Sequence, residues 1–348
     1  MRKVGFGIIG LGVIADFHAM ALERIDNAKL VAAYDMVPGK PEAFAKKYGC
    51  RGYSKLEDFL NDPELEVVTI GTPSGYHLDP ALTCIKAKKH VIIEKPLEIT
   101  VDRCNQIINA AKENGVKVSG VFQSRFHDAA RLIKKAVEQG RFGKITLADA
   151  QIKWFRTQEY YDSGAWRGTW AVDGGGALMN QGIHSIDLLL WLMGEKVTEV
   201  SGFTATLAHT NIEVEDTGAA VLRFANGAIG VIEGSTGAYP GALKRIEICG
   251  SEGNAVLEEE SLIKWSFKNE TPEDEEIRKK YANIKTSGGG ASDSKAVDPT
   301  GHARQFEDFA NAIINNTEPY ITPEDAAKSV EIITTIYKSA QSGKAIAL

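Results

Sequence analysis

The rhythm of apolar and polar positions changes once along the chain. Up to about residue 122, short apolar runs of strand length alternate with stretches whose apolar residues recur at helical spacing. The runs predict strands at Val4–Gly10, Lys29–Asp35, Glu66–Gly71, His90–Glu94 and Lys117–Phe122. The stretches between them predict helices over Ile14–Arg24, Glu42–Tyr48, Ser54–Asn61, Pro80–Ala87 and Val101–Asn114. Ser54 reads as an N-cap, with Glu57 completing a capping box. Strands alternating with helices of this length predict βαβ units and a doubly wound parallel sheet covered on both faces.

Beyond residue 122 a helix over Ser124–Gln139, closed by Gly140, leads into longer strands with period-two patterning. These are Ile145–Phe155, Val197–Ala208, Gly218–Phe224, Ala228–Ser235, Arg245–Cys249 and Asn254–Glu258. Asn226-Gly227 between two of them is a tight-hairpin signal, and strands joined by hairpins make an antiparallel sheet. Asn269–Pro299 is charged and then rich in Gly and Ser (Ser287-Gly288-Gly289-Gly290-Ala291-Ser292), which predicts a mobile loop. Two amphipathic helices, about His302–Asn315 and Pro323–Ser342, follow. The expected organisation is an α/β domain over 1–123 and an α+β domain over 124–348 with an open, mostly antiparallel sheet.

Composition narrows the function classes. A chain of 348 residues fits two domains, and 40 basic against 46 acidic side chains leave a net charge of −6. No Lys/Arg run is long enough to track a phosphate backbone or an anionic bilayer, so neither nucleic acid nor membrane is an expected partner. Cys50, Cys84, Cys104 and Cys249 lie far apart with no C-x-x-C, which fits neither a zinc site nor a disulfide framework; free thiols in a reducing cytoplasm are the simplest reading. Met1–Ala15 opens with Arg2 and Lys3 ahead of an apolar stretch, like a signal peptide, but Gly5, Gly7, Gly10 and Gly12 suit a membrane-inserting helix poorly. No apolar run approaches the roughly 18 residues that span a bilayer. The expected location is the cytoplasm.

Gly10-Leu11-Gly12-Val13-Ile14-Ala15 fits G-x-G-x-x-[GA] directly after a strand and at the opening of a helix. The first glycine permits the tight turn, the second lets a pyrophosphate approach the backbone, and the third small residue lets helix and strand pack closely. Bound phosphates would face the free N–H groups and positive end of the helix. Asp35 ends the second strand about 20 residues further on, where a carboxylate accepts hydrogen bonds from the adenosine ribose hydroxyls and repels a 2′-phosphate. Met36 and Val37 supply no cation, and the nearest is Lys40, so NAD(H) is favoured over NADP(H). A strand-end aspartate capping the next turn is the alternative reading of Asp35.

Chemistry on a bound nicotinamide needs a proton acceptor and an oxygen-polarising group, and in a parallel sheet these belong at the carboxyl ends of strands. Thr72-Pro73-Ser74-Gly75-Tyr76-His77 and Glu94-Lys95-Pro96 occupy two such ends. The proline after Lys95 favours extended backbone there, and a lysine solvated and paired with Glu94 or Glu98 is the competing reading. Asp173-Gly174-Gly175-Gly176 precedes a helix expected from Ala177 to Met193 and ended by Gly194. At about 100° per residue, Asn180, His184, Asp187 and Trp191 share one face of that helix. The His184–Asp187 spacing suits a structural hydrogen bond, a general base or a metal pair, although no third ligand is spaced to complete a metal site.

The glycine fingerprint, the position of Asp35, Glu94-Lys95-Pro96 and the Gly-Gly-Gly…Gly-x-His-x-x-Asp helix occur in this order in the glucose–fructose oxidoreductase/inositol dehydrogenase/MocA family, which the chain resembles along its whole length. The resemblance implies a Rossmann domain, then an α+β domain whose sheet mediates homodimers or homotetramers. It also implies reversible NAD-dependent hydride transfer at a secondary hydroxyl of a sugar, glycoside, nucleotide sugar or cyclitol. Lys95 would polarise the substrate oxygen and His184 would exchange its proton. Gly10, Gly12, Val13, Ile14, Asp35, Thr72, Pro73, His77, Glu94, Lys95 and Gln123 match cofactor-lining positions, and Trp166-Arg167 match a pair reaching the nicotinamide end. Arg125 and Asn180 would face substrate together with Lys95 and His184. Many family members carry Asp where this chain has Asn180, which cannot take a proton, so the relay would rest on His184 and Lys95.

Two other functions remain open from sequence. In one, permanently held NAD oxidises C3 transiently so that a glycosidic substituent is eliminated. In the other, a retired dehydrogenase fold senses NAD or sugar, for which Lys95 and His184 would have no use. Arg156, Tyr160, Tyr161, Trp166, Trp170, Tyr239 and His302 suit a hydroxyl-rich ligand without naming it.

Overall fold

A computed structural model describes residues 2–284, 290–291 and 298–348. The first stretch of chain forms β1 (Val4–Ile9), α1 (Val13–Glu23), β2 (Ala28–Tyr34), α2 (Lys40–Tyr48), β3 (Arg51–Tyr53) and α3 (Leu56–Leu60). It continues through β4 (Val67–Ile70), α4 (Leu78–Lys86), β5 (His90–Ile93), α5 (Val101–Asn114) and β6 (Val118–Gly120). Next come α6 (Asp128–Glu138), β7 (Ile145–Lys153), α7 (Gln158–Asp162), α8 (Ile183–Met193), β8 (Val197–Ala205), β9 (Thr217–Phe224) and β10 (Ile229–Ser235). The remainder is β11 (Arg245–Gly250), β12 (Gly253–Glu258), β13 (Ser261–Phe267), α9 (Pro272–Tyr281), α10 (Thr300–Asn315), α11 (Pro323–Ser342) and β14 (Ile346–Ala347). Two compact units result, Met1–Gln123 with Pro299–Val330, and Ser124–Asp298 with Glu331–Leu348.

In the first unit six parallel strands pair in the order β3-β2-β1-β4-β5-β6. The order reverses between β1 and β4, which opens a crevice at their carboxyl ends. β1 and β4 are buried at every position rather than alternating, with Thr69 as the one polar side chain of the two strands. The unit also takes in residues 299–330, a segment expected on the C-terminal side of the division. The reason is apolar: Phe306 and Phe309 of α10 join Val4, Phe6, Leu22, Ile25, Val67 and Val121 in one core cluster. Gln305 adds a polar tie, accepting from the Phe122 N–H (3.1 Å) and donating to the Gly120 carbonyl (2.8 Å). Phe306 is fully buried, and Phe306→Ala is expected to lower unfolding free energy by about 3–5 kcal/mol through lost burial and a cavity. Chemical denaturation reads this directly, and a loss under about 1 kcal/mol would remove α10 from the core.

The second unit is built on an eight-stranded sheet ordered β13-β12-β11-β7-β10-β9-β8-β14. Every pairing is antiparallel except β7 with β10, so the sheet is mostly antiparallel, as expected from the hairpins. Residues of β9 alternate between buried and exposed along the strand, as a sheet with one covered face requires. The Asn226-Gly227 connection is a three-residue loop rather than a two-residue one. Phe224 accepts from the Gly227 N–H at 2.9 Å, Gly227 has φ +87°, and the Asn226 side chain accepts from the Ala228 N–H at 3.0 Å.

Three expectations of local structure are corrected. Ser54 is no N-cap: pairing of Tyr53 with Tyr34 keeps the chain extended, and α3 starts after Lys55 with no side-chain cap among the described residues. Charged residues of the expected loop Asn269–Pro299 form α9, whose Thr271/Asp274 capping box is complete. Asp274 also accepts two hydrogen bonds from Arg141 (2.8 and 2.7 Å) and one from the Trp265 indole (2.6 Å), and the Arg141 guanidinium holds its carboxyl well below the usual range. The Gly/Ser-rich residues 285–289 and 292–297 of the expected loop lie outside the described residues. The helix expected over Ala177–Met193 is π-helical from Ala177 to Gly182 and α-helical only from Ile183, which breaks the 100° phase between Asn180 and His184. No described helix is long and apolar enough to cross a membrane.

Candidate active site

Gly10, Leu11 and Gly12 form the turn between β1 and α1. Gly10 has φ +87°, and a Cβ there would lie 2.9 Å from the Gly71 carbonyl carbon and the Thr72 nitrogen, so the turn lies against the end of β4. At Gly12, the N-cap of α1, a Cβ would meet nothing within 4 Å. No side chain among the described residues caps α1, which leaves the turn open beside Gly12; Ala15, whose N–H donates to the Gly12 carbonyl at 3.2 Å, is fully buried. That cradle fits a dinucleotide pyrophosphate. The Gln123 side-chain oxygen, buried with no hydrogen-bond partner among the described residues, provides an acceptor in the same unit.

Asp35 is buried, and its carboxylate accepts from the Leu11 N–H and the Val37 N–H, each at 2.9 Å. It therefore caps the next turn and also ties it to the glycine turn, so both readings of this residue are compatible. The Lys40 ammonium stands 3.6 Å from the carboxylate.

At the end of β5, Glu94 and Lys95 precede a cis Lys95–Pro96 peptide. One Glu94 oxygen accepts from the His18 Nε2 at 2.8 Å and stands 3.8 Å from the His302 Nε2; the other accepts from the Lys95 N–H at 3.1 Å. His18 is closed on its far side by the Thr69 hydroxyl at 2.7 Å, and Phe306 packs edge-on to it with ring centroids 5.1 Å apart. Burial alone would raise the Glu94 pKa; the His18 hydrogen bond, with the charges of His18, His302 and Lys95, holds it at about 2. The Glu94 and histidine ligand atoms lie within 4.8 Å of one another, close enough for a cation. Since His18 is already bonded at both nitrogens, hydrogen bonding accounts for the cluster.

His77 is fully buried, its Nδ1 2.9 Å from the Pro96 carbonyl and its Nε2 2.9 Å from the Thr72 carbonyl. Burial pushes its pKa below the ordinary value. Its ring is thus a strut joining the loops after β4 and β5, where Thr72, Pro73 and Lys95 sit. Sequence reasoning missed His18 and its link to His302. The available signal was one polar residue on the apolar face formed by Ala15, Ala19 and Leu22 of α1.

In the second unit, the Asn180 side-chain N–H donates to Asp173, which is buried and also accepts from the Gly168 N–H at 2.9 Å. A carboxylate therefore sits one hydrogen bond from Asn180. The Asn180 carbonyl accepts from Gln181 at 2.7 Å, and Gln181 in turn donates to the Tyr160 hydroxyl at 2.9 Å. Arg167 donates to that hydroxyl at 2.7 Å, its guanidinium 4.3 Å from the Tyr160 ring centroid and 4.4 Å from that of Trp166. Arg125, expected to face substrate, is buried in a bidentate pair with Asp187 at 2.8 and 2.6 Å. Asp187 is thereby committed to an arginine, which takes the proposed His184–Asp187 metal pair out of consideration. Arg156 is likewise buried, donating to the Gly290 and Ala291 carbonyls and to Gln181.

A parallel six-stranded sheet of this order, with an open-faced glycine turn at the strand reversal, defines an NAD-binding oxidoreductase domain. The sequence profile "Oxidoreductase family, NAD-binding Rossmann fold" matches residues 4–122, and that of the "GFO/IDH/MocA C-terminal domain" matches residues 130–256. The chain belongs to the GFO/IDH/MocA oxidoreductase family. It is 32% identical to myo-inositol 2-dehydrogenase of Thermotoga maritima over 71% of this chain and 73% of that protein. It is 25% identical to scyllo-inositol 2-dehydrogenase (NAD(+)) of Bacillus subtilis over 100% of this chain and 97% of that protein. Among solved structures, the WlbA dehydrogenase of Bordetella pertussis, in complex with NADH and UDP-GlcNAcA, superposes with a TM-score of 0.90 at 36% identity, covering 100% of this chain and 98% of that one. The protein is an NAD-dependent oxidoreductase of a family acting on sugars, cyclitols and nucleotide sugars.

Proposed function

We propose that the chain oxidises a secondary hydroxyl of a nucleotide-linked sugar, with Lys95 and His184 as its acid–base pair. The observation carrying this reading is Lys95 at the end of β5, its backbone N–H bonded to the buried Glu94 carboxylate, in the same unit as the open glycine turn. Bound NAD supplies a hydride acceptor. Gly10, Gly12, Val13 and Ile14 would hold its phosphates, Asp35 its adenosine ribose, and Thr72, Pro73 and Gln123 its nicotinamide half. Trp166 and Arg167 would reach its nicotinamide end, as the family resemblance implies. The Lys95 ammonium donates a hydrogen bond to the substrate oxygen, which favours the loss of its proton to the His184 imidazole. Asn180, oriented by Asp173, supplies a fixed hydrogen bond to substrate without itself taking a proton. Arg125 supports the helix through Asp187.

A nucleotide sugar is preferred over a free cyclitol because the WlbA match, with UDP-GlcNAcA bound, is the higher in identity and spans the whole chain. The test is a panel of nucleotide sugars, free sugars, glycosides and cyclitols, each offered with NAD while NADH absorbance is followed. Turnover confined to nucleotide sugars is the expected result, and turnover of cyclitols alone overturns the preference. Protein that arrives with NAD bound and cleaves a glycoside with no net NADH would instead establish transient C3 oxidation.

Asp35→Ala is expected to raise KM for NAD about 10–100-fold, since charged hydrogen bonds to ribose and the tie to Leu11 are lost together. The same change should narrow the preference over NADP. Steady-state KM values for both dinucleotides check it, and an unchanged NAD:NADP ratio removes Asp35 from ribose recognition.

A further inference from the structure

The second unit buries a carboxylate for which the reading above has no use. Glu215 is 3% exposed. One of its oxygens accepts from the Leu178 N–H at 2.8 Å and from the Tyr337 hydroxyl at 2.9 Å; the other accepts from the Gly176 N–H at 3.0 Å. Its main-chain carbonyl accepts from the Ala177 N–H at 3.0 Å. Three consecutive N–H groups, 176 to 178, thus end on one residue at the start of the segment that carries Asn180 and His184. We infer that Glu215 and Tyr337 are positioning residues, a buried clamp that sets where Asn180 and His184 stand along and around their helix. The inference rests on the functional reading above.

The glycine run fits this clamp closely. A Cβ on Gly176 would stand 1.9 Å from the Glu215 carbonyl oxygen, and one on Gly175 would stand 2.1 Å from the Tyr337 hydroxyl. Gly175 and Gly176 are therefore clearance for Glu215 and Tyr337. An exposed Ser or Asp beside the first turn is the ordinary way to satisfy helix N–H groups. Here the acceptor comes from a buried residue 39 positions further along the chain. The helix N-terminus attracts its negative charge, yet burial still pushes the Glu215 pKa up to about 7. Stability alone gives no reason to keep such a group, whereas a fixed origin for the helix does. The first turn is π-helical, so its rotation is not dictated by an ordinary α-helical ladder and must be set from outside. A misplacement of about 1 Å at a reacting group can cost about 10²-fold in rate.

The test uses the full-length chain with NAD and the compound turned over in the panel. Tyr337→Phe removes one donor while keeping the ring packed against Trp170, whose centroid lies 5.1 Å away. Glu215→Gln replaces one of the two acceptor oxygens with an NH2 donor, which is then set against an N–H or O–H that needs an acceptor. The expected result is a fall in kcat of about tenfold in Tyr337→Phe and about 50-fold in Glu215→Gln, with KM for substrate and NAD within about twofold. Amide hydrogen exchange across 176–182 should quicken in both variants. A folded Tyr337→Phe protein with wild-type kcat overturns the inference, whether or not exchange quickens. If Glu215→Gln does not fold, Tyr337→Phe decides alone. If no compound is turned over, the functional reading fails by itself, and the exchange arm still decides the clamp: faster exchange supports it and unchanged exchange overturns it.

Discussion

Replacing Lys95 with alanine is expected to lower kcat about 10³-fold while leaving the affinity for NAD within about threefold, as the loss of an acid–base group predicts. The separation follows from where binding and chemistry sit. The glycine turn, Asp35 and the loop after β4 hold the dinucleotide, and none of their hydrogen bonds described above runs through the Lys95 side chain. Lys95 is one of the charges that keep Glu94 ionised, so its removal also leaves a buried carboxylate with less compensation. That carboxylate keeps the His18 hydrogen bond and the Lys95 backbone N–H, so the end of β5 should keep its shape. Lys95→Arg should rescue little, because a planar guanidinium is not an ammonium point charge in a fixed cleft. Steady-state kinetics with calorimetric NAD titration separates the two quantities. A kcat within about twofold of wild type would remove Lys95 from the reaction.

His184→Ala is expected to cost about 10²–10³-fold in kcat for oxidation, again with NAD affinity unchanged. Its pH signature separates it from Lys95→Ala. A base must be unprotonated to accept the substrate proton, so oxidation rises with pH as the imidazole loses its own proton, and the alanine variant should lose that rise. The rest of the helix should tolerate the change. Ile183 and Ile186 remain fully buried, and Asp187 remains held by Arg125. Added imidazole should restore part of the rate by supplying the missing base. A variant that keeps both the wild-type rate and the wild-type pH profile would leave the proton without this acceptor.

Much of the first unit is legible because its strands are buried on both faces and punctuated by glycine. Val101–Asn114 is found at its predicted ends, between a Thr100 cap and Gly115. β3 escapes because Arg51-Gly52-Tyr53 has no apolar run, and its pairing with β2 supplies what its own pattern lacks. α9 reads as loop because its sequence is charged on nearly every side, although Thr271-Pro272-Glu273-Asp274 carries a start signal. At the site, Gly10, Gly12, Asp35 and Lys95 stand out because backbone geometry or strand position demands those residue types. Asp173, Glu215 and Tyr337 do not, since their partners lie on other elements and no local spacing links 215 to 176. The π-helical turn is invisible for a related reason: it is set by contacts beyond the helix, not by the periodicity of Ala177–Gly182.

Placing α10 in the first unit has a consequence for synthesis. The nascent chain must extend to about residue 315 before Phe306 and Phe309 can reach Val4 and Phe6. Domains generally fold from the N-terminus as they emerge from the ribosome, yet here the dinucleotide-binding half has to wait with part of its interior open to water. A fragment cut at residue 123 would carry the same exposed apolar surface permanently, so the cofactor domain cannot be isolated simply by stopping where its last strand ends.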